Sequence, residues 1–225
     1  MISRFFKPKE LAHQTLGEEI ANTITHGIGA LLGIAALVIM IIDSDEHHYD
    51  TVTKIVGTTI FGVALIINYL SSSIYHALPA SKSKKFFHLM DHCSIFLLIA
   101  GTYTPVLLII LNNALGWTLF FIMWSIALIG LLMKFCFWDR FPLVSLILYL
   151  AMAWTGAIAF KPLYHNLSTD GFLWLLMGGF FYTFGVIFFV WERLKYSHAI
   201  WHIFTLLGST CHFFLMIFYV IAFKG

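Results

Sequence analysis

The sequence predicts an all-α, polytopic membrane protein: one domain spanning residues 1–225, built as a seven-transmembrane helix bundle with its N-terminus cytoplasmic and its C-terminus extracytoplasmic. Three observations lead there. Apolar residues make up 60% of the chain and charged residues 11%, against roughly 25% charged in a soluble domain, so there is too little polar surface to coat a water-soluble sphere. Seven apolar segments approach the length of about 20 residues that crosses about 30 Å of hydrocarbon at 1.5 Å per residue. Lysine and arginine are distributed unevenly between the two sets of connections, which orients the bundle.

The segments run over 20–42, 52–78, 87–111, 115–136, 142–161, 171–192 and 198–223. The first follows a polar, basic stretch, residues 1–14, with no cleavable signal, so the first helix itself is expected to serve for targeting. An acidic turn over 43–50 separates it from the second, and a basic turn over 80–85 separates the second from the third. Pro105 is expected to kink the third segment after Gly101. Asn112, Asn113 and Gly116 mark the next turn. The fifth segment is short and carries Trp154, Thr155 and Gly156, and a polar loop over 162–170 precedes the sixth. Trp117, Trp138, Trp174 and Trp191 fall near predicted interfaces, as belt residues should.

With the N-terminus inside, Arg4, Lys7, Lys9, Lys82, Lys84, Lys85, Lys134, Arg140, Arg193 and Lys195 are cytoplasmic. Lys54, Lys161 and Lys224 are outside, which accounts for all 13 basic residues. A net charge of +2 gives no case for nucleic acid. Cys93, Cys136 and Cys211 lie in or at the ends of apolar segments and read as structural thiols, with no disulfide framework.

Ionisable groups inside a membrane are costly and mark function. Here they share one depth. Glu18, Glu19, Asn22 and His26 open the first helix, Ser71, Ser72, Ser73 and His76 close the second, His88, Asp91 and His92 open the third, and His198 and His202 open the seventh. All fall within about 12 Å of the cytoplasmic face, counting 5.4 Å per turn. His198 and His202, spaced i, i+4, share a helix face and can hold one zinc, with His76 as third ligand and the fourth tetrahedral position left for water. Ser72, one turn from His76, suits a supporting hydrogen bond or a substrate contact, and Asp91 suits a base. His88 and His92 have the same spacing, and spacing alone does not rank the two pairs. His212 lies about 15 Å deeper than His202 and reads as an interhelical hydrogen-bonding residue.

Glu19-Ile-Ala-Asn22-Thr-Ile-Thr-His26, Ser72-x-x-x-His76, Asp91-His92, Gly101-Thr-Tyr-Thr-Pro105 and His198-Ala-Ile-Trp-His202 together resemble the bacterial haemolysin III proteins. Those group with the progestin and adipoQ receptors, including the adiponectin receptors, and more widely with the alkaline ceramidases. The resemblance implies a seven-helix bundle with zinc near its cytoplasmic face on His76, His198 and His202, with Asp91 and Ser72 at the family's other two polar positions, and it decides against His88 and His92 as primary ligands. His92 stands where the receptors have an aromatic residue. No hormone-receptor function is carried over.

Three functions compete. The favoured one is a metal-dependent intramembrane hydrolase of lipid amides, acting on a ceramide-like or fatty-acyl membrane lipid in the bacterial plasma membrane. The alternative is a lipid or fluidity sensor with a structural zinc. The third is a pore or channel, which a cluster of polar groups at one face serves poorly. The sequence names no protein partner and no oligomeric state.

Overall fold

The computed structural model describes residues 14–46, 50–137, 140–191 and 193–224. Arg4, Lys7, Lys9 and Trp138, the polar stretch before Gln14 and the middle of the acidic turn (47–49) lie outside the described residues. The described residues are helical with no strand. They form α1 (Leu16–Glu46), α2 (Thr51–Ala77), α3 (Lys82–Pro105), α4 (Ala114–Phe137), α5 (Pro142–Trp154), α6 (Phe160–Asn166), α7 (Thr169–Val190) and α8 (Ser197–Leu215). α5 and α6 are two halves of one crossing, so seven helical spans are long and apolar enough to cross a membrane.

The turns are shorter than the sequence marks them, because α1 runs on to Glu46, α3 already starts at Lys82 and α6 takes in Pro162 to Asn166, so much of 43–50, 80–85 and 162–170 is helical. Ser81 Oγ accepts from Lys84 N at 3.1 Å and caps α3, and Ser168 Oγ accepts from Gly171 N at 3.2 Å and caps α7. Asn113 Oδ1 accepts from the amides of Leu115 and Gly116 at the start of α4. Each cap satisfies amides that a helix start leaves without partners.

Burial does not sort apolar from polar side chains as it does in a soluble protein. Leu31 is 69% exposed and Phe121 61%, while Asn22, Thr58 and Ser72 are at 0%. The apolar exterior is the lipid-facing surface, and polar side chains point at one another inside the bundle. α3 is the most enclosed span and α7 the most peripheral. α2 and α3 approach closely: a Cβ on Gly101 would stand 2.7 Å from Ala64 Cβ, and one on Gly57 would stand 3.2 Å from Pro105 Cα.

The third span does not end at its proline. Beyond Pro105 the chain continues as a π turn, Val106–Ile110, closed by Leu111 N donating to Val106 O at 3.2 Å. Proline has no amide to donate, and the wider turn begins just beyond it. α8 ends the same way, in Met216–Val220, with Ile221 N on Met216 O at 2.9 Å.

The fifth crossing is broken by a 3₁₀ stretch, Thr155–Ala159. Tyr103 of α3 repairs it. Its hydroxyl donates to Ala153 O at 2.6 Å and accepts from Gly156 N at 3.0 Å. A Cβ on Gly156 would stand 2.7 Å from that hydroxyl, so the glycine makes room for the tyrosine. Trp154 is exposed, and Trp174, close to the start of α7, packs against the core and against Phe214. Because both freed backbone groups lean on one hydroxyl, Tyr103→Phe is expected to lower stability by about 1–3 kcal/mol. Reversible unfolding in mixed micelles would measure it, and an unchanged midpoint would mean that another group takes over.

Candidate metal centre

Four helix ends meet at one end of the bundle: the start of α1, the end of α2 and the starts of α3 and α8. His198 and His202 occupy successive turns of α8, with ring centroids 4.5 Å apart. His76, in the last turn of α2, stands 5.2 Å from the first ring and 5.4 Å from the second. One ring nitrogen of each lies within 4.8 Å of the others, and neither Asp91 nor His92 belongs to this group. Zinc–nitrogen bonds of about 2.0–2.1 Å separate tetrahedral ligands by about 3.3 Å, a closure within the reach of side-chain rotation.

The hydrogen bonds set which nitrogens face inward. Glu19 Oε2 lies 2.7 Å from His76 Nδ1. An ionised carboxylate only accepts, so Nδ1 carries the proton and Nε2 keeps its lone pair. That Nε2 is buried without a hydrogen-bond partner, the condition expected of a ligand atom. On His202, Nδ1 lies 3.1 Å from Thr25 Oγ1. The Thr25 hydroxyl spends its one hydrogen on the carbonyls of Ala21 and Asn22, at 2.8 and 3.0 Å. It therefore accepts from Nδ1–H, and His202 also turns its Nε2 lone pair away from its support. Two histidines in the same tautomer, backed by a carboxylate and a hydroxyl, form a donor set suited to zinc.

Asp91 and Ser72 flank the triad. Asp91 approaches both His76 and Ser72, and its contact with the buried Ser72 hydroxyl falls short of a well-formed hydrogen bond. His88 and His92 turn to each other instead, Nε2 to Nε2 at 3.1 Å, and the His92 carbonyl accepts from Tyr149 at 2.7 Å.

His26 stacks on His202 at 3.4 Å with an interplanar angle of 13°, and its Nε2 lies 3.3 Å from Thr205 Oγ1. It packs flat against the His202 ring. His212 stands apart, its Nε2 3.4 Å from Leu175 O and its ring filling the space beside Gly178.

Several partners escape sequence reasoning. Lys84, a topology charge in the sequence, bonds Glu19 Oε1 at 3.0 Å. Tyr69 donates to Thr205 O at 3.1 Å and meets Ser209 Oγ at 2.5 Å, and Tyr182 reaches the same Ser209 oxygen at 2.6 Å. One signal was available: Tyr69 precedes His76 by seven residues and Ser209 follows His202 by seven, two turns along the same faces.

Residues 14–213 match the family model described as Haemolysin-III related. The chain is 49% identical to Hemolysin-3 of Bacillus cereus over 208 residues, covering 92% of this chain and 94% of that protein. It is 48% identical to a Hemolysin-3 homolog of Bacillus subtilis (strain 168) over 207 residues, covering 92% and 96%. A more distant likeness, 27% over 209 residues and covering 89% and 83%, links it to the human monocyte to macrophage differentiation factor.

Ser209 joins α8 to α2 and α7 through two tyrosines. Ser209→Ala is expected to cost about 0.6–1.7 kcal/mol, the range of interhelical hydrogen bonds in membranes. Unfolding of the purified variant measures this, and a stabilised variant would contradict it.

Proposed function

The chain belongs to the haemolysin III family of multi-pass membrane proteins, and we propose that it is a zinc-dependent hydrolase of membrane lipid amides. The substrate is ceramide-like, with a fatty-acyl chain that stays in the bilayer while its amide meets the metal. The site would face the cytoplasm of a bacterial plasma membrane, the side to which the sequence assigns ten of the 13 basic residues. The role is in membrane lipid homeostasis.

One observation carries the reading. The group that could hold an ion comprises His76, His198 and His202 alone among the described residues, with Asp91 and Ser72 beside it and outside it. Three protein ligands are the pattern of a catalytic zinc, whereas a structural site is closed by four. His76, His198 and His202 would hold the ion. When bound, it would polarise the scissile carbonyl and make water a stronger acid.

The chain's own groups do the rest. Asp91 takes the proton of the water that adds to the carbonyl carbon. As the C–N bond breaks, the same carboxyl returns that proton to the departing amine, leaving a fatty acid and a free amine. Ser72 donates to the carbonyl oxygen as negative charge gathers there. Glu19 and Thr25 keep His76 and His202 in the tautomer that binds.

The sensor reading, with zinc only linking α2 and α8, fares less well because Asp91 and His92 stand outside the group. A pore is disfavoured because the histidines, Asp91 and Glu19 gather at one end, while Val106–Ile110, Met216, Val220 and Ile221 at the other are apolar and buried.

Detergent-purified protein is expected to hold about one zinc per chain. His198→Ala with His202→Ala should lose it, read by elemental analysis. Folded wild-type protein without metal would defeat the mechanism. Asp91→Asn should keep the zinc and lose roughly 10²–10⁴-fold in hydrolysis, followed by fatty-acid release from a panel of lipid amides. A zinc-loaded wild type that turns over no lipid in that panel would return the sensor reading.

A further inference from the structure

We infer that Glu19 is the positioning residue of the metal centre and Lys84 the counter-ion that keeps it in place. The inference rests on the zinc reading above and deepens it, since neither α1 nor α3 supplies a ligand, yet both are tied to the first one.

Glu19 uses its two oxygens on two partners. Oε2 holds His76 Nδ1 at 2.7 Å and Oε1 holds Lys84 Nζ at 3.0 Å. The side chains are 22% exposed for Glu19, 9% for Lys84 and 1% for His76, so the array is screened from water on the metal side. Lys84 is saturated. An ammonium has three hydrogens, and Nζ directs them to Glu19 Oε1, Tyr75 O and Leu78 O, each at 3.0 Å. The two carbonyls sit at the end of α2, where a helix leaves its acceptors unpaired, and a cation there also favours the helix dipole. Lys84's own amide is fixed by Ser81 Oγ at 3.1 Å. One lysine thus fastens the end of α2 that carries His76 and neutralises the carboxylate that orients it.

The chemistry gives the array a purpose beyond packing. A carboxylate on the far nitrogen of a ligating imidazole fixes the tautomer, holds the ring plane and raises the basicity of the nitrogen facing the metal. His76 needs this more than the other ligands do. His198 and His202 share a helix and are mutually registered by one turn of backbone, and His26 stacks on His202. His76 comes alone from the last turn of α2.

The test is zinc affinity of full-length, detergent-purified protein by competition with a chromophoric chelator, beside the thermal midpoint of the metal-free form. Glu19→Gln is expected to bind zinc roughly 10–100-fold more weakly, at an unchanged stoichiometry once zinc is in excess. In a His76→Ala background the same substitution should cost nothing further, because Glu19 acts through that ring. Glu19→Asp keeps the charge, withdraws it by one methylene and should weaken binding as well, which covers the case of a glutamine variant that does not fold. Glu19→Gln with wild-type affinity and only a lower metal-free midpoint would make Glu19 a packing residue and overturn the inference, leaving the zinc reading intact. Equal losses with and without His76 would overturn it too. Wild-type protein with no zinc would remove both, and is seen before any variant is compared.

Discussion

Hydrocarbon offers no hydrogen bonds, and that constraint shapes everything else in this molecule. Any backbone group that leaves the regular α ladder must find a partner within the protein. The two breaks inside spans are therefore repaired. The π turn after Pro105 keeps its own backbone paired, Leu111 N on Val106 O, and the gap between α5 and α6 closes on the hydroxyl of Tyr103. Polar side chains obey the same rule. Ser71 and Ser94 pair with each other, Asn68 accepts from Ser94, and Ser209 takes two tyrosines.

Against that background, the few buried polar atoms left over become informative. Among the described residues, His76 Nε2 and Ser72 Oγ lie in one region without partners, beside Asp91. His26 Nδ1 and His212 Nδ1 lack partners as well, so an orphaned atom alone does not mark a site; His76 Nε2 points to one because His76 also groups with His198 and His202. The metal reading thus rests on that grouping as well as on the rule that explains the fold. The cost of gathering these groups is limited by where they gather, in the end turns of four helices, where unpaired helix termini already require polar partners.

Much of this was legible in the sequence because hydropathy and depth are one-dimensional. Length and composition mark seven spans, and counting turns from a common face brings His76, Asp91, His198 and His202 to one level. What sequence does not contain is angular position around the bundle. The pairs His88 and His92, and His198 and His202, have the same spacing, so spacing does not rank them; the family resemblance favours the second pair, and the arrangement of α2 against α8 groups that pair with His76. Lys84 could be counted as a basic residue but not aimed at Glu19, because the aim depends on how α1 and α3 pack around the end of α2. The break at Thr155–Ala159 was visible only as a short segment rich in awkward residues. Its remedy lies 50 residues earlier in the chain, on Tyr103.

The two π turns lie at the opposite end of their helices from His88 and His92 and from His198 and His202. Val106–Ile110 closes α3 and Met216–Val220 closes α8, and the two turns touch. A π turn holds one residue more than an α turn of similar rise, so each is a stored insertion. Losing one residue there would tighten the turn to α pitch while the earlier part of the helix kept its rotation. The same loss between His198 and His202 would swing every later side chain by about 100°. The chain therefore has two places where its length can drift and a stretch where it cannot, and the divide runs across the bundle between the end that holds the π turns and the end that holds His76, His198 and His202.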